Sequence, residues 1–202
     1  MNPLDLIRLQ ITLEYQLDAL GRLVPFPGSS EQGLYIVYRY AGGCTAFFDH
    51  RLPESLCEQL RGLGCEQTFE APGNVQRVVQ AYTPCRFEGR FVSEYLPRLP
   101  EAAEFPLVSQ QQGQFVVRVD GEPVCRAWSE RGNDACAEVA VETHPHHRRQ
   151  GYARQAVAAW ASDVIGSGRV ALYSYKAGNE PSRALAHSLG ALWYADVVCY
   201  SP

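Results

Sequence analysis

Between Glu142 and Gly166 the chain reads ETHPHHRRQGYARQAVAAWASDVIG, and no other stretch restricts the fold as much. Just upstream, ACAEVAVET alternates polar with apolar residues, the period of a β-strand. Downstream, Ala153, Ala156, Val157, Trp160 and Val164 recur at helical spacing, which predicts a helix from Gly151 to Gly166. A strand that turns through a glycine into a helix exposes first-turn N–H groups with no partner, and the helix dipole adds partial positive charge there. Arg148 and Arg149 precede that turn, Gly151 lets backbone come close to a ligand, and Ala153 keeps the next turn small. The glycine spacing fits neither a P-loop nor a dinucleotide fingerprint. A phosphorylated cofactor at this turn is the expectation. Taken singly, the same residues also describe a solvated loop with a glycine in it.

The flanking signals place this unit in an α/β domain. QFVVRVDGEPVCRAWS reads as a hairpin about Asp120-Gly121, RVALYSY as a strand, and NEPSRALAHSLG as a helix capped by Asn179 and closed by Gly190. ALWYADVVCY ends the chain as one strand or two. The order β-β-β-α-β-α-β implies a mixed sheet. Ahead of it, LPRLPEAAEFPLVSQQQG, with its prolines and glutamine run, is the expected linker, dividing the chain into 1–98 and 99–202. The first part reads as a smaller α/β unit. Its expected elements are a helix over 3–20 stopped by Gly21, a loop at VPFPGSS, a hairpin from LYIVYRY to TAFFD, a short helix PESLCEQLRGLG, a helical GNVQRVVQAYT and an extended RFEGRFVSEYL.

With these elements in order, HRRQGYA resembles the R-x-x-G-x-A pyrophosphate loop of the GCN5-related N-acetyltransferases, at Arg148, Gly151 and Ala153. AEVAVETHP is similar to that family's fourth strand, which is splayed by a bulge and holds the pantetheine arm by backbone contacts. NEPSRALAHSLG is similar to its second cofactor motif. The resemblance covers roughly the last ninety residues. It implies acetyl-CoA or another short acyl-CoA as cofactor. The backbone of Arg149, Gln150, Gly151, Tyr152, Ala153 and Arg154 would cradle the pyrophosphate, with charge added by Arg148. Val141 and Thr143 would line the pantetheine, and Asn179 and Ser182 would touch the arm or the phosphates. A glutamate on the fourth strand often serves as base in this family, which implies Glu138 or Glu142; Glu138, earlier on the strand, leaves more room for an amine. Both share a face by alternation, and a bulge near Val141 would turn them apart. Two departures stand out. The family's usual tyrosine acid, seven residues past the asparagine, is Ala186 here. The tail beyond Gly190 is too short for two long closing strands, so the first part of the chain is expected to complete the acceptor site.

Composition excludes some classes. A formal net charge of −4 argues against a general nucleic-acid binder. The first twenty residues lack a basic segment followed by an apolar run, and no stretch is long and apolar enough to span a bilayer, so a soluble cytoplasmic protein without membrane partners is expected. Seven cysteines with no CxxC pair read as reduced, mostly buried thiols. His144, His146 and His147 look like a metal cluster, but Pro145 breaks the i, i+4 geometry, and a polar loop with no metal is expected. Cys136 reads as core and not as a nucleophile. Trp160 and Trp193 read as core too. Tyr173 and Tyr175 alternate on one strand, and the sequence does not decide whether they face the site. The function these features imply is direct acetyl transfer from acetyl-CoA to a small-molecule or peptide primary amine, with room for a homodimer. The other reading is a non-catalytic acyl-CoA-binding or regulatory module on the same fold.

Overall fold

The structure is a computed structural model that describes residues 1–29, 32–98 and 107–202. Contacts divide the chain into two units: Met1–Ser93 with Tyr194–Pro202, and Glu94–Trp193. The central part of the expected linker, residues 99–106, lies outside the described residues.

The first unit opens with helix α1 (Pro3–Glu14), capped by Asn2, whose side chain accepts from the Leu4 N–H. It buries Leu6, Ile7, Gln10 and Ile11. The helix does not run to residue 20 as the leucine spacing suggested. Asp18 Oδ1 accepts the N–H groups of Leu20 and Arg22 at 2.8 and 2.9 Å, which ties a turn in place of helix. Strands β1 (Tyr15–Leu17) and β2 (Leu23–Pro25) pair across that turn, so part of the expected VPFPGSS loop is strand. Strands β3 (Tyr35–Tyr40) and β4 (Gly43–Phe48) form the expected hairpin. Helix α2 (Glu54–Glu70) continues past the glycine expected to end it, kinking at Gly64 with φ 75°. Helix α3 (Pro72–Gln80) and strand β5 (Arg86–Leu96) follow as read. The unit's sheet order is β4-β3-β11-β5, where β11 (Leu192–Ser201) is the chain's single closing strand, antiparallel to β3. Its core stacks Tyr35 between Phe48 and Tyr200, at ring distances of 5.1 and 5.7 Å, over Leu56, Leu60, Phe69, Val75 and Val79.

In the second unit, strands β6 (Val108–Gln111), β7 (Gln114–Val119), β8 (Glu122–Gly132), β9 (Cys136–Thr143) and β10 (Val170–Lys176) lie in the order β10-β9-β8-β7-β6. The glutamine run expected as linker is the end of strand β6, at Gln110 and Gln111, and the turn that follows. Gln112 and Gly113 both take positive φ, 49° and 78°, as a tight hairpin turn requires, and Asp120-Gly121 does the same between β7 and β8. Helix α4 (Tyr152–Gly166) links β9 to the parallel β10 and buries Ala156, Val157, Trp160 and Val164. The indole of Trp160 donates to Ser129 Oγ at 2.9 Å, fixing α4 on β8. Helix α5 (Glu180–Ser188) follows β10. Trp193 departs from the reading: it is 44% exposed, not core. Among the described residues no helix is long and apolar enough to cross a membrane.

The cysteines also depart from expectation. Cys44 on β4 and Cys65 on α2 form a disulfide, and Cys57, Cys85, Cys125, Cys136 and Cys199 remain thiols. The Gly64 kink carries the end of α2 back over β4, which brings two residues 21 apart in sequence to a Cα separation of 6.0 Å. Closing a loop of this size restricts the unfolded chain by about 3 kcal/mol. Thiol titration of the unreduced, denatured protein should therefore find five thiols, and a Cys44→Ser/Cys65→Ser chain should lose up to about 3 kcal/mol in urea unfolding. Seven titratable thiols and an unchanged midpoint would contradict this pairing.

Candidate active site

Strands β9 and β10 pair in parallel only at Cys136–Val170, Ala137–Ala171 and Glu138–Leu172. Both then continue, β9 to Thr143 and β10 to Lys176, without further pairing to each other. Meanwhile β9 stays paired with β8 along its other edge as far as Thr143. The strands therefore part after Glu138 and Leu172, and the backbone edges of Val139–Thr143 and Tyr173–Lys176 are left for an extended ligand to bond. Val141 and Thr143 lie on this open edge. The expected bulge near Val141 is absent from β9, where register runs unbroken from Val139 to Thr143. The irregularity is on β8, between Ser129 and Arg131, opposite Glu138 and Val139. The extra residue on β8 turns Arg131 toward β9, where its Nη1 lies 3.2 Å from Glu138 Oε2.

The two candidate carboxylates occupy different surroundings. Glu138 is 4% exposed, held by Arg131 and by the hydroxyl of Ser174, which donates to Oε1 from the unpaired part of β10. Glu142 is exposed and takes both Nε and Nη2 of Arg126, directly opposite on β8, at 3.0 and 2.6 Å. With Thr143, His144, Arg118 and Arg148 this pair lines a cleft of about 520 Å³.

At the end of β9 a short 3-10 turn, Pro145–His147, leads into the arginine-glycine loop. The rings of His144, His146 and His147 cluster at 5.4 and 5.8 Å. Arg149 adopts φ 61°, a left-handed conformation that a non-glycine residue takes only when its surroundings impose it, and Gly151 takes φ 82°. No side chain caps α4, and a Cβ placed on Gly151 would meet no other side chain or distant backbone within 4 Å. The N–H groups of Tyr152, Ala153 and Arg154 thus begin a helix with no side-chain cap, the kind of terminus that attracts anions. Arg148 Nε reaches back to the Thr143 carbonyl at 3.4 Å, and Arg154 Nε to that of Ser188 at 3.2 Å, while Gln150 Nε2 lies 3.4 Å from the His146 carbonyl. Asn179 caps α5, accepting the Ser182 N–H at 3.3 Å. Cys136 is fully buried and its thiol is pushed up to about 11, chiefly by burial, which suits core and not a nucleophile.

Sequence reading missed one group. The hydroxyl of Tyr175 donates to Glu94 Oε1 at 3.3 Å, and Glu94 Oε2 is buried with no hydrogen-bond partner. Burial raises the Glu94 carboxyl, and it raises Tyr175 to about 12, reinforced by the adjacent Glu94 charge. Tyr173 is likewise raised by burial, against a hydrogen bond with Ser182. Glu94 sits near the end of β5 in RFVSEYL, and nothing in that run separates it from a solvated strand carboxylate.

The sequence model of the GNAT acetyltransferase family matches residues 109–200. Among solved structures, a GNAT-family protein from Novosphingobium aromaticivorans aligns with a TM-score of 0.50 and 17% identity, over 57% of this chain and 66% of that one. An acetyltransferase of the GNAT family from Colwellia psychrerythraea aligns with a TM-score of 0.50 and 11% identity, over 78% of this chain and 76% of that one. This chain thus spans about two thirds and three quarters of their lengths, and at these identities the likeness concerns the fold alone. No curated protein matches the chain in sequence.

The contrast between the glutamates can be measured through their partners. Arg131→Met strips a cation from a buried carboxylate and should cost about 3 kcal/mol of unfolding free energy. Arg126→Met breaks a pair in which both side chains are at least half exposed, and should cost under about 1 kcal/mol. Equal losses in urea denaturation would mean that Glu138 is less enclosed than the structure has it.

Proposed function

We propose that this chain, whose residues 109–200 match the GNAT acetyltransferase family, is a member of that family and an N-acetyltransferase that moves an acetyl group from acetyl-CoA to a primary amine by direct transfer. The observation that carries the reading is the pairing of two features in one unit: a parallel strand pair that opens after Glu138, and an uncapped helix start at Gly151 one loop away. An elongated ligand with a pyrophosphate at one end and an amide-bearing arm at the other suits both. Bound acetyl-CoA would supply an activated acyl group as a thioester.

The chain's own groups divide the remaining work. The backbone from Arg149 to Arg154, with Gln150 and Tyr152 between them, would hold the pyrophosphate, and Arg148 would add charge. Val141 and Thr143 would hold the arm along the open edge of β9, with Asn179 and Ser182 closing over it from α5. An N–H on the open edge of β9 would stabilise the oxyanion. Glu138 would take the amine proton, directly or through the Ser174 hydroxyl bonded to it. Glu142, exposed and held by Arg126, suits a position at the mouth of the cleft better than the proton transfer itself. The chain is proposed to work in the cytoplasm on a small-molecule or peptide amine.

Ala186 favours a second reading, a module that binds acyl-CoA without catalysing transfer, since the tyrosine of the resembling family is missing there. Incubation with acetyl-CoA and a panel of amines, followed by thiol release, separates the two.

Gly151→Glu should abolish CoA binding in calorimetry, because a carboxylate would stand at the helix start proposed to hold the pyrophosphate. A folded Gly151→Glu chain with undiminished affinity would place the cofactor elsewhere. Glu138→Gln should lower turnover roughly 10²–10⁴-fold and leave acetyl-CoA affinity close to that of the parent. If Glu142→Gln shows that pattern and Glu138→Gln does not, the roles are exchanged.

A further inference from the structure

Transfer to an amine leaves a thiolate that must be protonated, and the resembling family's tyrosine for this step is replaced by the fully buried Ala186 on α5. The next residue on that helix, His187, lies close enough to act electrostatically on Glu94. The phenol of Tyr175 is bonded to the same carboxyl from β10, three residues past Leu172, on the part of the strand that has parted from β9. Thus a phenol and a buried carboxyl stand beside the very turn of α5 from which the usual acid is missing. Resting on the acyl-transfer reading, we propose that Tyr175 donates the proton to the departing sulfur and that the Glu94 carboxyl behind it is the source of that proton.

Acid strengths explain why the two must act together. A phenol that burial raises above its ordinary value of about 10 is a weaker acid than an ordinary thiol near about 8.5, so transfer from Tyr175 alone runs uphill. A carboxyl is a stronger acid than a phenol, so replacing the phenol's proton from Glu94 lowers the cost of the transfer. Burial is the largest influence on Glu94 and leaves its carboxyl raised, although the Tyr175 hydrogen bond and the electrostatic influence of His187 from α5 both lower it. Arg183, also on α5, acts on Tyr175. The unpartnered Oε2 is tolerable on a neutral carboxyl and costly on a carboxylate.

In the step itself the amine nitrogen bonds to the carbonyl carbon while the carbon–sulfur bond breaks, leaving its electron pair on sulfur. With the Glu94 carboxyl neutral and its proton on Oε1, that O–H donates to the phenolic oxygen 3.3 Å away, so the phenol's proton is free to pass to sulfur as Glu94 gives its own to the phenolic oxygen. The proton shed by the amine at Glu138 returns to Glu94 through solvent. Amine and thioester become amide and thiol, with nothing oxidised or reduced.

The test uses CoA itself, whose thiol occupies the leaving-group position. The full chain and its Tyr175→Phe and Glu94→Gln variants, both close to isosteric, are saturated with CoA, and thiolate absorbance is followed against pH. All three should bind CoA with similar affinity in calorimetry. The phenol's hydrogen bond should favour the thiolate, so the bound thiol should ionise about one pH unit lower in the parent than in Tyr175→Phe, a tenfold change in its acid constant. Infrared spectra should show a neutral-carboxyl band persisting above the ordinary glutamate range of about 4.3, removed by Glu94→Gln. Coincident thiol titrations in parent and Tyr175→Phe, or a Glu94 band that vanishes at ordinary acidity, would overturn the assignment while leaving acyl transfer standing. Failure of the parent to bind CoA would overturn both.

Discussion

Only three residues of each strand pair before β9 and β10 part, and the candidate site depends on where that pairing stops. A parallel pair normally continues for as long as both strands do, because each unpaired backbone group inside a protein costs free energy. Here both strands run on, and Glu138 sits at the fork. Its carboxylate draws the Ser174 hydroxyl from β10 on one side and Arg131 from β8 on the other. One buried charged group therefore links the three strands around the opening. Removing Arg131 would take a cation from that carboxylate, and so the fork and the candidate base are held by the same contacts.

The bulge on β8 belongs to the same arrangement. An extra residue between Ser129 and Arg131 lets Ser129 face the indole of Trp160 while Arg131 turns to Glu138. The strand thus anchors the helix that carries the anion-binding turn and also supplies the cation to the fork. A regular β8 could not place both side chains where they are, since alternation would give residues 129 and 131 the same face. Sequence gave no sign of this irregularity, because Ser-Glu-Arg-Gly carries neither a glycine at the bulge nor a break in hydrophobic pattern.

Local signals with a backbone cause were the legible ones. Asp120-Gly121 turned a hairpin, Asn179 capped a helix and Gly151 took the left-handed conformation at the helix start, each because few residues can do so cheaply. The arginine-glycine loop and the α5 motif were therefore placed from the sequence with their strands and helices in order. What went unread depended on partners distant in the chain. The leucine spacing of residues 3–20 outvoted Asp18, whose turn only the paired strands on either side make worthwhile. The glutamine run looked like linker because polar side chains say nothing of an edge strand's backbone pairing. Cys44 and Cys65 met through a kink at a glycine that, read locally, only ended a helix.

Glu94 is the strongest case of this kind. As one acidic residue in a strand it has the ordinary reading of a solvated side chain, and only its burial beside Tyr175 changes its chemistry. Burial then does what no local sequence can: it raises a carboxyl and a phenol together and leaves one oxygen without a partner. A protein selected for stability alone would gain by replacing such a pair with apolar side chains of similar volume, because an unsatisfied buried polar atom costs about 1–3 kcal/mol. Glu138 carries no comparable deficit, since a cation and a hydroxyl bond it. The two carboxyl groups of this unit therefore differ in what their surroundings leave undone. Glu138 is held by bonds to both oxygens, as suits a group whose position must not change, while Glu94 keeps an open oxygen beside a phenol, as suits a group that must give up a proton.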